Sequence, residues 1–331
     1  MARPSEDEII AEIFAPLAGE AGLGLADDVA CLVPPQGQDL VLTTDMITAG
    51  VHFFADDPPE AIAAKALRVN LSDLAAKAAE PLGFLLSLGL PDDWTLQWLE
   101  AFAAGLGRDA AAHACPLLGG DTVKILGPLT VSITAIGAVP SRRMVPRPGA
   151  QAGDVLYVSG TIGDAALGLR LRRAAAADDV WTRNLSALAR DIFVTRYLYP
   201  QPRLALREAL RAHARAAMDI SDGLAGDLAK MLHLTGVSAE LGFADVPLSP
   251  AAREALALAP ELAAAILSGG DDYEILAAVP PNEAAEFEKK AASAGSPVTA
   301  IGLVKTGRGG PIFLDRAGQP VLLAAPSYQH F

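Results

Sequence analysis

Apolar positions along the first part of the chain switch between two periods. In 39–45 (DLVLTTD) they follow the short, alternating pattern of a strand. Residues 58–79 open on Pro-Pro and then carry Ala, Leu and Val at helical spacing, which predicts a helix. LGFLLSLGL (82–90) is a nearly unbroken apolar run that ends at Pro91 and reads as a buried strand. A helix is expected over 94–112, and 129–139 (LTVSITAIGAV) alternates as a strand should. Pro, Gly and Arg then crowd into 140–153 (PSRRMVPRPGAQAG), the best domain boundary in the chain. Beyond it the pattern restarts with a strand at DVLYVSG (154–160) and helices over 163–175, 183–197 and 203–214. MDISDGL (218–224) begins a strand-to-helix turn, and GGDDYEILAAV (269–279) is a turn feeding a strand. A helix over 281–294 and a late strand at 299–304 (TAIGLV) follow. The expectation is an α/β (α+β) protein of two domains, 1–140 and 141–331.

Composition narrows the picture. The chain has 331 residues, 51% hydrophobic but only 5% aromatic, so small side chains must fill much of the core. A net charge of −13 argues against nucleic acid or an anionic membrane as the partner. Cys31 and Cys115 allow at most one bridge and form no CxxC. The N-terminus MARPSEDEII lacks the apolar stretch of a signal peptide, and no apolar run reaches the roughly 20 residues that span a bilayer. A cytoplasmic protein is expected. There is no GxxxxGK[ST], no GxGxxG at a strand-helix junction, and no GxSxG or HExxH. SGTIGDAALGL (159–169) is a turn that could hold phosphate on backbone N–H groups, but ordinary turn and packing needs are the favoured explanation.

The chemistry that remains is carried by aspartate. Acids recur at ADDVA (26–30), TTD (43–45), NLSD (70–73), GGD (119–121) and MDISDGLAGDL (218–228). Singly they have ordinary explanations: Ser221 or Asp222 as a helix N-cap, Asp73 within a helix, Asp121 as a turn residue after Gly-Gly. As a set they are harder to dismiss. Asp45, Asp121 and Asp219 each lie at or near the end of an apolar run, and carboxylates at strand ends converge on one crevice. Cations must neutralise such a crowd. Mg²⁺ is the natural choice, because it binds through carboxylates plus substrate phosphates. Thr43, Thr44 and Ser221 add neutral oxygens.

The ordered series ADDVA, TTDMITAGVHF, KALRVNLSDLAAKAAEP, LLGGDT, VPRPGAQAGDVLYVSG, MDISDGLAGDL and SGGDDYE resembles the thiamine-monophosphate kinases. That family belongs to the superfamily of aminoimidazole-ribonucleotide synthetase, selenophosphate synthetase and a hydrogenase-maturation protein. The resemblance implies transfer of the γ-phosphoryl of ATP onto thiamine monophosphate. It implies that Asp28, Thr43, Thr44, Asp45, Asp73, Asp121, Asp219 and Asp222 bind several Mg²⁺ ions. Gly120, Asp121, Arg147 and Ser221 would contact ATP, and His52, Asp271 and Tyr328 the thiamine monophosphate. Asp45, Asp219 and Arg147 would then carry the catalysis. It further implies an N-terminal sheet domain that binds metal and ATP and forms a barrel in a homodimer. A C-terminal α/β domain with a mixed sheet would complete an active-site cleft. Two departures stand out. The family usually has GDD where this chain has Ala26-Asp27-Asp28, and GGEDYE where it has Gly269-Gly270-Asp271-Asp272-Tyr273-Glu274. The rival readings are another ATP-using enzyme of the superfamily, or a non-catalytic binder of nucleotide or thiamine phosphate.

Overall fold

The computed structural model describes residues 4–323 and residue 327. Contacts divide the chain into two compact units, with the main break between Arg143 and Met144. Residues Ala75–Ala78, at the end of a first-unit helix and just beyond it, group with the second unit.

The first unit opens with α1 (Glu6–Ile9), where Ser5 and Glu8 form a capping box. It continues through β1 (Gln38–Thr48), α2 (Pro59–Ala76), β2 (Glu80–Leu90), α3 (Leu96–Ala112), β3 (Leu117–Lys124) and β4 (Thr130–Pro140). The sheet runs in the order β1-β4-β2-β3, antiparallel except for the parallel β2/β3 pair. One face is buried by Val41, Ile47, Phe84, Leu86, Val131 and Ile133. The helix α2 lies against it and brings Leu74 close to Gly137 of β4. At Gly105 of α3 an added Cβ would lie 2.6 Å from Glu60 Cα, so the two helices touch backbone to backbone there. The other face of the sheet is open. Leu40, Leu42, Met46 and Leu85 on it are 40%, 62%, 61% and 38% exposed.

The second unit contains β5 (Val155–Ser159), α4 (Asp164–Arg173), α5 (Asp179–Asn184), α6 (Ala187–Leu198), α7 (Arg207–His213), β6 (Ala216–Asp219) and α8 (Leu224–Thr235). It continues with β7 (Ser238–Gly242), α9 (Pro250–Leu258), α10 (Leu262–Ser268), β8 (Ile275–Val279), α11 (Ala284–Ser293), β9 (Val298–Lys305) and β10 (Pro311–Leu314). Its sheet has the order β10-β7-β9-β5-β8-β6 and is mixed, with β10/β7 parallel and the remaining neighbours antiparallel. Leu156 and Val158 of β5 join Met218, Leu228, Phe193 and Ile266 in the main core. Tyr157, between them on the strand, points to the opposite face. There it meets Phe287 of α11 edge-on, with ring centroids 5.2 Å apart.

Several expectations are adjusted by this architecture. Gly119-Gly120-Asp121 is not a turn but the middle of β3, because Gly120 can press against the β2 backbone. A Cβ at Gly120 would lie 1.9 Å from the Leu86 carbonyl oxygen. The helix expected over 183–197 is two helices, separated where Ser186 caps α6 by accepting from Ala189 N. The strands β7 and β10 and the helices α9 and α10 have no counterpart in the sequence reading. Among the described residues, no helix is long and apolar enough to cross a membrane.

Candidate active site

Strand alternation sorts the first acidic segment. Thr43 and Asp45 belong to the helix-covered side of β1, and Thr43 Oγ1 donates to Asp73 Oδ2 of α2 at 2.5 Å. Asp73 lies one turn beyond Asn70, so the two share a face of α2. Asn70 is fully buried; its Oδ1 accepts the Asp45 N–H at 3.1 Å and its Nδ2 donates to Ala66 O. The helix thus satisfies the outer edge of β1 at the position where an acid sits. Thr44 turns to the open face, where it donates to Ile133 O and accepts from Thr134 Oγ1. In the turn after β1, Thr48 N donates to His52 Nδ1 at 3.1 Å, so that nitrogen is the acceptor of the ring. Lys65, buried on α2, donates to His52 O at 2.9 Å and fixes the same turn.

Asp121 stands in register opposite Ser87, on the open face of the sheet. A cavity of about 820 Å³ opens there, within the size range of small-molecule sites. Its walls include Asp27 and Asp28 from the N-terminal segment and Ser87, Gly120, Asp121 and Thr122 from the sheet. Asp28, Gly120 and Asp121 are therefore brought together, apart from Thr43, Asp45 and Asp73 on the covered face.

In the second unit the sequence MDISDGLAGDL is organised by its last acid. Neither Ser221 nor Asp222 caps α8: the N-cap is Gly223, without a side-chain hydrogen bond. Asp227, fully buried in the first turn of α8, instead accepts Ser221 N (3.0 Å) and Asp222 N (2.9 Å) on Oδ2. Burial pushes the Asp227 carboxyl up from its ordinary range, and Lys230 works in the opposite direction. Lys230 Nζ donates to Asp227 Oδ1 at 2.8 Å and to Asp222 Oδ2 at 2.5 Å. Asp219 ends β6 and is buried.

The GGDDYE segment packs directly on this turn. Asp271 N donates to Ser221 O and Tyr273 N to Ile220 O. Both residues have left-handed backbones, with φ of 72° and 50°. A Cβ at Gly270 would lie 2.2 Å from Ser221 O, so only glycine fits at that contact. Glu274 is completely buried and anchors the segment. Arg203 holds it with Nε and Nη2 (2.6 and 2.5 Å), Arg196 with Nη2 (2.7 Å), and Ser159 Oγ at 2.6 Å. Asp272 is buried too, with both oxygens 2.9 Å from the Gly163 N–H. Burial drives its carboxyl well above the ordinary range. The backbone amide at the start of α4 therefore serves Asp272, which agrees with the turn-and-packing explanation of SGTIGD. Asp272 is thus turned into this core. Arg147 is exposed in the loop before β5. Tyr328 lies outside the described residues.

Two family models cover most of the chain: AIR synthase related protein, N-terminal domain, over residues 26–139, and its C-terminal domain over 151–315. A thiamine-monophosphate kinase of Caulobacter vibrioides is 44% identical over 313 residues, 93% of this chain and 86% of that protein. The chain belongs to the thiamine-monophosphate kinase family. The crystal structure of the Stenotrophomonas maltophilia thiamine-monophosphate kinase superposes with a TM-score of 0.79 at 37% identity, covering 87% of this chain and 89% of the other. A structure described as AaThiL complexed with AMPPCP and TMP has a TM-score of 0.77 at 29% identity, covering 100% of this chain and 99% of that one.

For a thiamine-monophosphate kinase the donor set is chemically apt. Among the described residues, no group of three His, Cys, Asp or Glu could hold a metal ion alone. Mg²⁺ does not need such a cage, since it is commonly held by one or two carboxylates together with phosphates and water. Hard oxygens at Asp28, Asp45, Asp73, Asp121, Asp219 and Asp222 suit it. Sequence reasoning missed Asn70, Asp227, Lys230 and the Arg196–Arg203–Glu274 cluster. Only Asp227 had a local signal, an acid one turn past a Ser-Asp-Gly.

The raised carboxyl of Asp272 gives a pH test. Its folded-state proton is bound more tightly than in the unfolded chain, so its contribution to stability is full below the ordinary carboxylate pKa. That contribution is lost as pH rises through the elevated value. Asp272→Asn keeps an acceptor for Gly163 N–H and has no charge to bury. Urea unfolding from about pH 4 upward should show the variant gaining on the wild type by up to about 1.4 kcal/mol per pH unit within that window. A stability difference that stays flat with pH would contradict the burial argument.

Proposed function

We propose that the protein transfers the γ-phosphoryl group of ATP to the phosphate of thiamine monophosphate, giving thiamine diphosphate and ADP. The observation that carries this reading is the set of acids in the motif segments, Asp45 on β1 and Asp73 on α2 in the first unit, Asp219 at the end of β6 and Asp222 in the turn before α8 in the second. They occupy the motif positions that mark the family. We place ATP in the cavity of about 820 Å³ beside Asp28, Gly120 and Asp121. Arg147 gives a fixed charge to the phosphates, and an arginine fork suits two oxygens at once. His52 and Asp271 orient the thiamine end, together with Tyr328; an acid fits a cationic thiazolium and the donating amine of the pyrimidine. Asp28, Thr43, Thr44, Asp45, Asp73, Asp121, Asp219 and Asp222 would hold Mg²⁺, which supplies positive charge against the phosphates of donor and acceptor.

The acceptor needs little activation. Its phosphate has a second pKa near 6, so at neutral pH it is largely dianionic and already nucleophilic. The side chains then have to bring two anions into line and exclude water, which is positioning and electrostatics rather than base catalysis. Asp45 is well placed for this, since its backbone is pinned by Asn70 and its neighbour Thr43 by Asp73. The reaction belongs in the cytoplasm, where ATP is supplied. A second copy of the chain covers the open face at Leu40, Leu42, Met46 and Leu85 and closes the two sheets into a barrel. An exposed apolar row of this kind supports burial against a partner. Light scattering should give twice the 34.2 kDa of one chain, and a stable monomer would rule the barrel out.

The activity is tested with purified protein, Mg-ATP and either thiamine monophosphate or thiamine. Thiamine diphosphate should form from the monophosphate only, stop with a chelator and resume with Mg²⁺. In the same assay Asp45→Asn should lower kcat at least about a hundredfold, the scale of one preorganised electrostatic contact. Asp271→Ala should raise the KM for thiamine monophosphate and leave that for ATP unchanged. Phosphorylation of thiamine but not of its monophosphate would defeat the reading.

A further inference from the structure

Lys230 has no part in the reaction as described, yet its ammonium group is bound to an acid of the metal set. It bridges Asp222 Oδ2 at 2.5 Å and Asp227 Oδ1 at 2.8 Å. The two acids differ in kind. Asp227 is completely buried and its other oxygen already holds the Ser221 and Asp222 amides. The backbone of the turn is therefore fixed without Lys230. Asp222 is different: its side chain is 35% exposed and that of Lys230 41%, so solvent and ions reach the pair. The bond from Lys230 to Asp222 thus concerns charge more than architecture.

We propose that Lys230 is a built-in cation that occupies the Asp222 carboxylate and competes for it with the incoming divalent ion, so that it sets how tightly the chain binds Mg²⁺. The proposal rests on the reading of Asp222 as a metal ligand. In the metal-free protein the ammonium neutralises a turn that would otherwise place Asp222 and a buried Asp227 side by side. A divalent ion held by Asp222 would have to share that carboxylate with the Lys230 ammonium or displace it, and would have a positive charge for a neighbour. Like charges near each other in a partly exposed site oppose one another. Lys230 is accordingly a positioning residue, stabilising the empty site while weakening the filled one.

Mg²⁺ titrated calorimetrically into protein saturated with AMPPCP reads this directly. Lys230→Met should tighten the Mg²⁺ Kd by about tenfold. Lys230→Gln, which is neutral but still able to donate to both acids, should also tighten it and guards against a misfolded Met variant. Lys230→Arg should restore the wild-type value. Without metal, Lys230→Met should melt at a lower temperature than wild type, and Mg²⁺ should raise its Tm by more. An unchanged or weaker Kd in both neutral variants overturns the proposal. Asp222→Asn separates the two levels of the argument: it should weaken Mg²⁺ binding and erase the effect of Lys230→Met. If Asp222→Asn leaves Mg²⁺ affinity unchanged, Asp222 is no metal ligand and the proposal falls with that assignment.

Discussion

A buried carboxylate is among the most costly things a fold can contain unless it is paired, and the second unit is arranged around one that is. Glu274 has no solvent exposure and is held by Arg196, Arg203 and Ser159. Removing one member of such a cluster typically costs about 3–5 kcal/mol, because the remaining charge is left buried. Glu274 immediately precedes β8, so its fixed position also fixes the residues before it. Asp271 and Tyr273 are held in left-handed conformations that side chains normally avoid. Their N–H groups go to Ser221 and Ile220, which ties the GGDDYE segment to the Ser-Asp turn. A neutral core could fill the same volume but would not place these two acidic loops against each other so rigidly.

The first unit solves a related problem with hydrogen bonds. Its acids sit on or beside a sheet whose alternation decides where each side chain goes. Thr43 and Asp45 fall on the covered side and Thr44 on the open one. Consecutive threonines in TTD consequently have different neighbours, and only Thr43 meets Asp73. Asp121 falls on the open side beside the cavity, because β3 pairs in parallel with β2 and puts it opposite Ser87. That open face carries the exposed apolar side chains of Leu40, Leu42 and Met46.

Much of this was legible in the residues. Strands β1, β2, β4, β5 and β9 and helices α2, α3 and α8 follow from apolar periodicity and from the prolines and glycines that bound it. The order of the acidic motifs identified the family. What was not legible depends on contacts between distant segments. β3 reads as a turn because glycine disfavours strands, and only the approach of the Leu86 carbonyl explains why glycine is needed there. β7 and β10 are short, and each finds its place through a neighbouring strand, β7 against β9 and β10 against β7, rather than through its own pattern. Arg196 and Arg203 lie more than seventy residues from Glu274, so no spacing rule could have joined them. Of the adjacent acids Asp271 and Asp272, nothing in the local sequence says that it is Asp272 that is buried against Gly163.

The proposed reaction requires that carboxylates of the acidic motifs take divalent cations together with the phosphates of the nucleotide. Anomalous diffraction from crystals grown with Mn²⁺ and AMPPCP tests it most directly, since Mn²⁺ is visible where Mg²⁺ is not and shares its preference for oxygen. The account predicts anomalous peaks within coordination distance of both a nucleotide phosphate and carboxylates drawn from Asp28, Asp45, Asp73, Asp121, Asp219 and Asp222. A nucleotide bound with its Mn²⁺ touching none of these six side chains would contradict it.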